Sequence, residues 1–160
     1  MMASIVISIA DQCLELHKPA SATVRFAVST SRFGPGEQSG SLCTPRGSHV
    51  IRARIGDGLP TGAVFRARRP TGEIWSPALA RQHPGRDWIL TRILWLSGCE
   101  SGRNRLGPVD TMRRFIYIHG TPDTEPIGVP FSHGGIRMAN EDVVRLFDET
   151  EPGMPVGIYS

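Results

Sequence analysis

Lysine is almost missing from this chain. Lys18 is the one lysine among 18 basic residues in a sequence of 160; the others are arginines. They are scattered, with no run of five or more basic residues. The net charge of +3 therefore reads as an arginine-rich surface and not as a nucleic-acid footprint, and no nucleic-acid partner is expected. Cysteine is also scarce. Cys13, Cys43 and Cys99 are far apart, form no C-x-x-C pair and have no histidine at metal-ligand spacing, which excludes a zinc ribbon and a disulfide framework. An odd, unpatterned set of thiols fits a reducing compartment. Long apolar runs are lacking too. The opening Met-Met-Ala-Ser-Ile-Val-Ile-Ser-Ile-Ala has no basic n-region and stops at Asp11, so it reads as a first strand and not as an export signal. Nothing approaches the ~20 apolar residues of a membrane span. The expectation is a soluble, cytoplasmic protein; removal of a leader would make it periplasmic instead. There are no repeats and no low-complexity segments.

What is abundant is punctuation: 18 glycines and 13 prolines favour many turns and short strands over a helical bundle. The length is that of one domain, residues 1–160, able to fold without a metal or disulfide. Residues 4–9 and 13–17 read as two strands joined by a turn, clean alternation predicts a third at 23–29, and the three suggest an antiparallel meander. A Gly/Ser-rich loop spans 30–41, and Thr44-Pro45-Arg46-Gly47 is a turn. Further strands are predicted at 48–55, 63–68, 88–96, 111–118 and 155–159. Turns are predicted at 56–60, at Arg69-Pro70-Thr71-Gly72 and at Glu151-Pro152-Gly153, with an irregular stretch at 76–88. Trp88 and Trp95 read as core. Asn140-Glu141-Asp142 opens a helix, with Asn140 as a cap and Val143, Val144, Leu146 and Phe147 on the buried face.

One stretch does not read as scaffold. Phe115-Ile-Tyr-Ile-His-Gly-Thr-Pro delivers His119 at the end of a buried strand. After a turn-rich link, Phe131-Ser-His-Gly-Gly-Ile-Arg-Met-Ala-Asn packs Ser132, His133, two glycines and Arg137 into six residues. Taken singly, His119 could be a strand-end histidine, His133 a structural one and Arg137 a surface ion pair. The two histidines as a metal site lack a carboxylate or cysteine at usual spacing, so neither a metal nor another cofactor is expected.

Together these residues resemble the catalytic signature of the YkuD-type L,D-transpeptidase family: His-Gly-Thr, a link, then Ser-His-Gly-Cys-Ile-Arg-Met and an Asn. Val28-Ser29-Thr30, the Gly-rich loop and Thr44-Pro-x-Gly resemble the family's N-terminal half more weakly. The resemblance implies a mainly β fold, a mixed β-sandwich with one or two short helices, and an active site in a groove capped by loops such as 97–108. It implies peptidoglycan stem peptides as substrate and acyl transfer through a cysteine at position 135. His119 would be the base, oriented by the Gly120 carbonyl. Backbone N–H groups at Gly134 and position 135 would hold the oxyanion. Arg137 is suited to a bidentate grip on a substrate carboxylate. Ser132 and His133 would orient the loop, and Asn140 would tie it to the following helix.

The chain departs from the signature once: position 135 is glycine. Without a side chain there, no acyl-enzyme can form. The expectation is a cytoplasmic L,D-carboxypeptidase of murein recycling whose nucleophile has been removed, by design, from an active parent. The alternatives are an exported L,D-transpeptidase that cross-links peptidoglycan and a natural non-catalytic muropeptide-binding module.

Overall fold

The computed structural model describes residues 2–160. Its first three strands, β1 (Ser4–Ser8), β2 (Cys13–His17) and β3 (Val24–Ala27), pair antiparallel as the predicted meander. In β1 and β2 alternate residues are buried, so Ile5, Ile7, Leu14 and Leu16 enter the core while their neighbours face outward. The chain continues through β4 (Gly47–Ile55), β5 (Ala63–Arg66), β6 (Arg69–Ile74), helix α1 (Pro77–Gln82), β7 (Ile89–Gly98), β8 (Tyr117–Gly120), β9 (Ile136–Met138), helix α2 (Asn140–Asp148) and β10 (Pro155–Tyr159).

All ten strands join one curled sheet. It is mixed, because β10 runs parallel to β1 and β9 parallel to β8, while the other pairs are antiparallel. This is the mainly β, mixed architecture with two short helices that the sequence leads one to expect. The centre of the sheet is β7, the longest strand, which pairs with β4, β5 and β8. Its sequence is almost continuously apolar, as a strand covered on both faces should be. Helix α2 closes the core with Val143, Leu146 and Phe147, all fully buried against the sheet. Truncating Phe147 to alanine would cost about 3–5 kcal/mol through lost transfer energy and the cavity left behind.

Four local expectations are corrected. Arg69-Pro70-Thr71-Gly72 is part of strand β6, and the turn lies one step earlier at Ala67-Arg68. Both of these residues have positive φ (48° and 70°), a two-residue hairpin between the paired Arg66 and Arg69. Pro70 is tolerated because β6 is the edge of the sheet. The stretch called irregular at 76–88 contains α1, started by Ser76, whose hydroxyl accepts from the Leu79 N–H at 3.1 Å, with Pro77 in the first turn. The strand expected over 111–118 exists only as β8. Asp110 draws the chain before it into turns by accepting from the N–H groups of Leu106 and Arg113. Finally, Asn140 is not the cap of α2. Ala139 holds that position, and the Asn140 carboxamide is used elsewhere.

Candidate active site

The imidazole of His119 stands near the end of β8, only 4% exposed. Its Nδ1 lies 2.6 Å from the Gly120 carbonyl. A carbonyl only accepts, so Nδ1 carries the proton and Nε2 presents a lone pair. Burial pushes the ring's pKa down, Asp87 and the Gly120 carbonyl pull it back up, and Arg137 pushes it down again. The net direction is below the ordinary histidine value, so the ring is neutral at pH 7.

Nε2 points at Gly135. A Cβ built there would sit 3.4 Å from Nε2 and 3.6 Å from Cδ2 of His119. Gly134 has a φ of 127°, which side chains rarely adopt, whereas Gly135 is outside the left-handed region. The backbone therefore requires glycine at 134 and does not require it at 135. The tightest neighbour of a Cβ at 135 would be the Tyr117 carbonyl at 3.1 Å, which asks for a small backbone adjustment.

The bend is fastened from several sides. Ser132 Oγ donates to the Gly135 carbonyl (2.6 Å) and accepts from the Gly134 N–H (3.2 Å). The Gly134 N–H is thus turned onto Ser132, which corrects the expectation that it points to an oxyanion. Thr44 Oγ1 donates to the Gly134 carbonyl (2.9 Å) and accepts from the Ser31 N–H (3.0 Å). Ser29 and Arg137 exchange both of their backbone hydrogen bonds. The two weak N-terminal matches, Val28-Ser29-Thr30 and Thr44-Pro-x-Gly, therefore lie directly against the loop that carries the strong one.

Asn140, the last residue of the signature, is held by β7 and by the end of β8. Its Oδ1 accepts from Thr91 Oγ1 (2.6 Å), and its Nδ2 donates to the Thr121 carbonyl (3.0 Å). Gly120 must be small for this to happen: a Cβ there would run into Asn140 Oδ1 and lie 2.7 Å from the Leu90 carbonyl. Thr91 has an unusual φ of 74° at the irregularity between Leu90 and Ile93, which turns its hydroxyl to Asn140.

Two adjoining cavities open beside this corner. The smaller, about 90 Å³, is lined by His119, Gly135, Ser132, Tyr117 and the segment from Arg114. The larger, about 290 Å³, lies beyond His133 and Arg137. Arg137 has a side chain only 6% exposed. Its Nη2 donates to Asp87 Oδ1 at 2.9 Å, so one half of the expected bidentate grip is already engaged. His133 is half exposed, with Nδ1 3.9 Å from the same carboxylate oxygen. Among the described residues no three metal-ligating side chains gather.

Asp87, Glu125, Thr91 and Arg114 were not singled out by sequence reasoning. Asp87 follows a Pro-Gly-Arg turn and carries no motif signal. Arg114 reaches back to donate to the Cys43 carbonyl (2.6 Å) and the Gly36 carbonyl (3.2 Å), fixing the loop beside Gly134. The loop at 97–108, expected to cap the groove, lines neither cavity. It is drawn instead onto the turn before β4, where buried Asn104 donates to the carbonyls of Arg46 and Ser48. Trp88, expected in the core, is buried and also forms a wall of the larger cavity.

The curled mixed sheet brings a neutral strand-end imidazole to a bend bearing Ser-His-Gly-x-Ile-Arg-Met, with glycine at the position x. The family model described as "L,D-transpeptidase catalytic domain", YkuD, matches residues 3–158, and the chain belongs to that family. It is 29% identical over 126 residues to the probable L,D-transpeptidase ErfK/SrfK of Salmonella typhimurium, covering 71% of this chain and 39% of that protein. The chain thus spans about two fifths of that relative's length. Its fold is similar to that of L,D-transpeptidase 3 from Mycobacterium tuberculosis in complex with a faropenem-derived adduct, at TM-score 0.58 and 17% identity, over 99% of this chain and 60% of the other. It is also similar to an Enterococcus faecium L,D-transpeptidase, at TM-score 0.58 and 13% identity, over 99% and 50%.

Proposed function

We infer that this domain holds peptidoglycan stem peptides and belongs to L,D-carboxypeptidase chemistry, with the nucleophile replaced by Gly135. With cysteine at 135, His119 Nε2 would take the thiol proton, and the sulfur would attack the carbonyl of the L-centre of a diamino acid. The proton would then pass to the departing D-Ala amine, leaving a thioester. A water, deprotonated by the same nitrogen, would attack the thioester, releasing the shortened peptide and returning the thiol. The smaller cavity supports water as the acceptor, because its volume admits a few waters more readily than a second peptide. Three unpaired cysteines fit a reducing compartment, and so a role in trimming recycled tetrapeptides in the cytoplasm.

The observation that carries this reading is the 3.4 Å between His119 Nε2 and the place a Cβ at 135 would take, at a residue whose backbone does not need glycine. It favours loss of a nucleophile from an active parent over a bend built around glycine. The exported cross-linking enzyme is the second reading, supported by the larger cavity, which offers room for an acceptor amine. The test is Gly135→Cys with a murein tetrapeptide. Release of D-Ala, absent in the unchanged chain, supports carboxypeptidase chemistry. Transfer to an added amine in preference to water supports the second reading. No turnover, with tetrapeptide binding retained, leaves a binding module and defeats the enzyme reading.

A further inference from the structure

Glycine at 135 leaves the imidazole of His119 at the end of a cavity. His119 Nδ1 is tied to the Gly120 carbonyl, while Nε2 has no hydrogen-bond partner among the described residues. The smaller cavity, about 90 Å³, is lined by both the ring and residue 135. Any side chain at 135 would begin 3.4 Å from Nε2 and take the space beside that nitrogen. Without one, the cavity admits a water together with a short acyl group. Its walls suit both. Ile89, Phe115, Ile116 and Tyr117 offer apolar surface to the acyl chain. Arg114 and Arg137 border the same space, and their charge favours an acyl oxygen that turns negative. The base for the water is already prepared: the ring is neutral at pH 7 and its tautomer is fixed with the lone pair on Nε2.

We propose that the chain as it stands, with glycine at 135, hydrolyses activated acyl compounds, the esters and thioesters of short acids, with His119 Nε2 acting directly on water and no covalent intermediate. The water oxygen bonds to the acyl carbon while one of its protons passes to Nε2. The tetrahedral adduct then collapses. The bond to the leaving oxygen or sulfur breaks with its electron pair, and Nε2 returns the proton to that atom. The products are a carboxylic acid and an alcohol or thiol, and the ring is neutral again. Amides lie outside this activity. An amine is a poorer leaving group, and the acyl-enzyme route that splits its barrier in two needs a nucleophilic side chain. The inference goes beyond the stem-peptide reading and does not depend on it.

The test follows release of p-nitrophenolate from p-nitrophenyl acetate by the unchanged chain, above the rate in buffer alone. His119→Gln should lower kcat/KM about a hundredfold, the low end of a general base's share. Gly135→Ala keeps the imidazole but should lower kcat/KM about tenfold, because its methyl group takes the water's place. Both losses, with unchanged circular dichroism and a product trace linear from the first turnover, are the expected result. Four outcomes overturn the proposal: no hydrolysis above the buffer rate, a rate that survives His119→Gln, a rate that survives Gly135→Ala, or a burst with an acetyl group on His119 in the mass spectrum. Where His119→Gln costs folding, Gly135→Ala still decides, since it removes no hydrogen bond and the backbone at 135 does not require glycine.

Discussion

Two buried histidines make the instructive contrast in this molecule. His49 on β4 and His119 on β8 are 1% and 4% exposed. Each places Nδ1 against a backbone carbonyl close by in sequence, that of Gly47 at 3.0 Å and that of Gly120 at 2.6 Å. Burial depresses the pKa of both, that of His49 to about 4. They differ at the other nitrogen. His49 Nε2 meets Thr111 Oγ1 at 3.0 Å, so the ring is fully satisfied and acts as internal scaffolding. His119 Nε2 faces a glycine and a cavity. Burial and a depressed pKa alone do not mark a catalytic group. What sets His119 apart is a nitrogen held in the basic tautomer and left without a protein partner, the feature a general base requires.

The contrast can be broken most strongly by moving the same substitution between the two rings. In the Gly135→Cys protein, His119→Gln should lower kcat/KM by a factor on the order of 10²–10⁴, the usual share of a general base, with little change in thermal stability. His49→Gln in the same background should leave kcat/KM within a few-fold and lower the melting temperature. If both rings cost activity alike, the distinction fails.

A second test uses pH. The folded pKa of His49 lies below the ordinary value of 6.5, so between about 6.5 and 4 the unfolded chain binds the extra proton and the folded one does not. Stability from this group is therefore complete above pH 6.5 and declines as pH falls, by about 3 kcal/mol at pH 4. Burial gives His119 the same sign. Denaturant melts from pH 7 to 4 should show the decline, and His49→Gln should flatten much of it; an unchanged slope would contradict the assignment.

Smaller effects come from the fastenings of the bend. Asn140→Leu removes the carboxamide that joins β7 to the end of β8, and should cost about 1–3 kcal/mol, because Thr91 Oγ1 and the Thr121 carbonyl lose their partner. Thr44→Val removes the bridge between Ser31 and Gly134 and should cost about 1 kcal/mol. In the Gly135→Cys protein Thr44→Val should lower kcat more than it lowers affinity, since it loosens the reacting corner and touches no cavity wall.

Much of the scaffold was legible in the sequence, because alternation in 13–17 and 24–27 and the apolar runs of 5–7 and β7 mark buried strands. The cluster of His119, Ser132, Gly134 and Arg137 was legible from two histidines 14 positions apart together with the resemblance to the family's signature. What was hidden depends on contacts distant in sequence. Asp87 meets Arg137 across 50 residues, Thr91 meets Asn140 across 49, and Arg114 meets Cys43 across 71, with no local pattern to announce any of them. The Ala67-Arg68 hairpin escaped because neither residue is a usual positive-φ type, while Pro70 and Gly72 beside it imitate a turn.

The most direct test is mass spectrometry with peptide mapping of the Gly135→Cys protein after exposure to faropenem, with and without His119→Gln. One covalent adduct on residue 135, formed far more slowly when the imidazole is removed, is the predicted result. No adduct on residue 135, or one formed at the same rate without the imidazole, would contradict the proposal that His119 Nε2 is placed to activate a thiol at position 135.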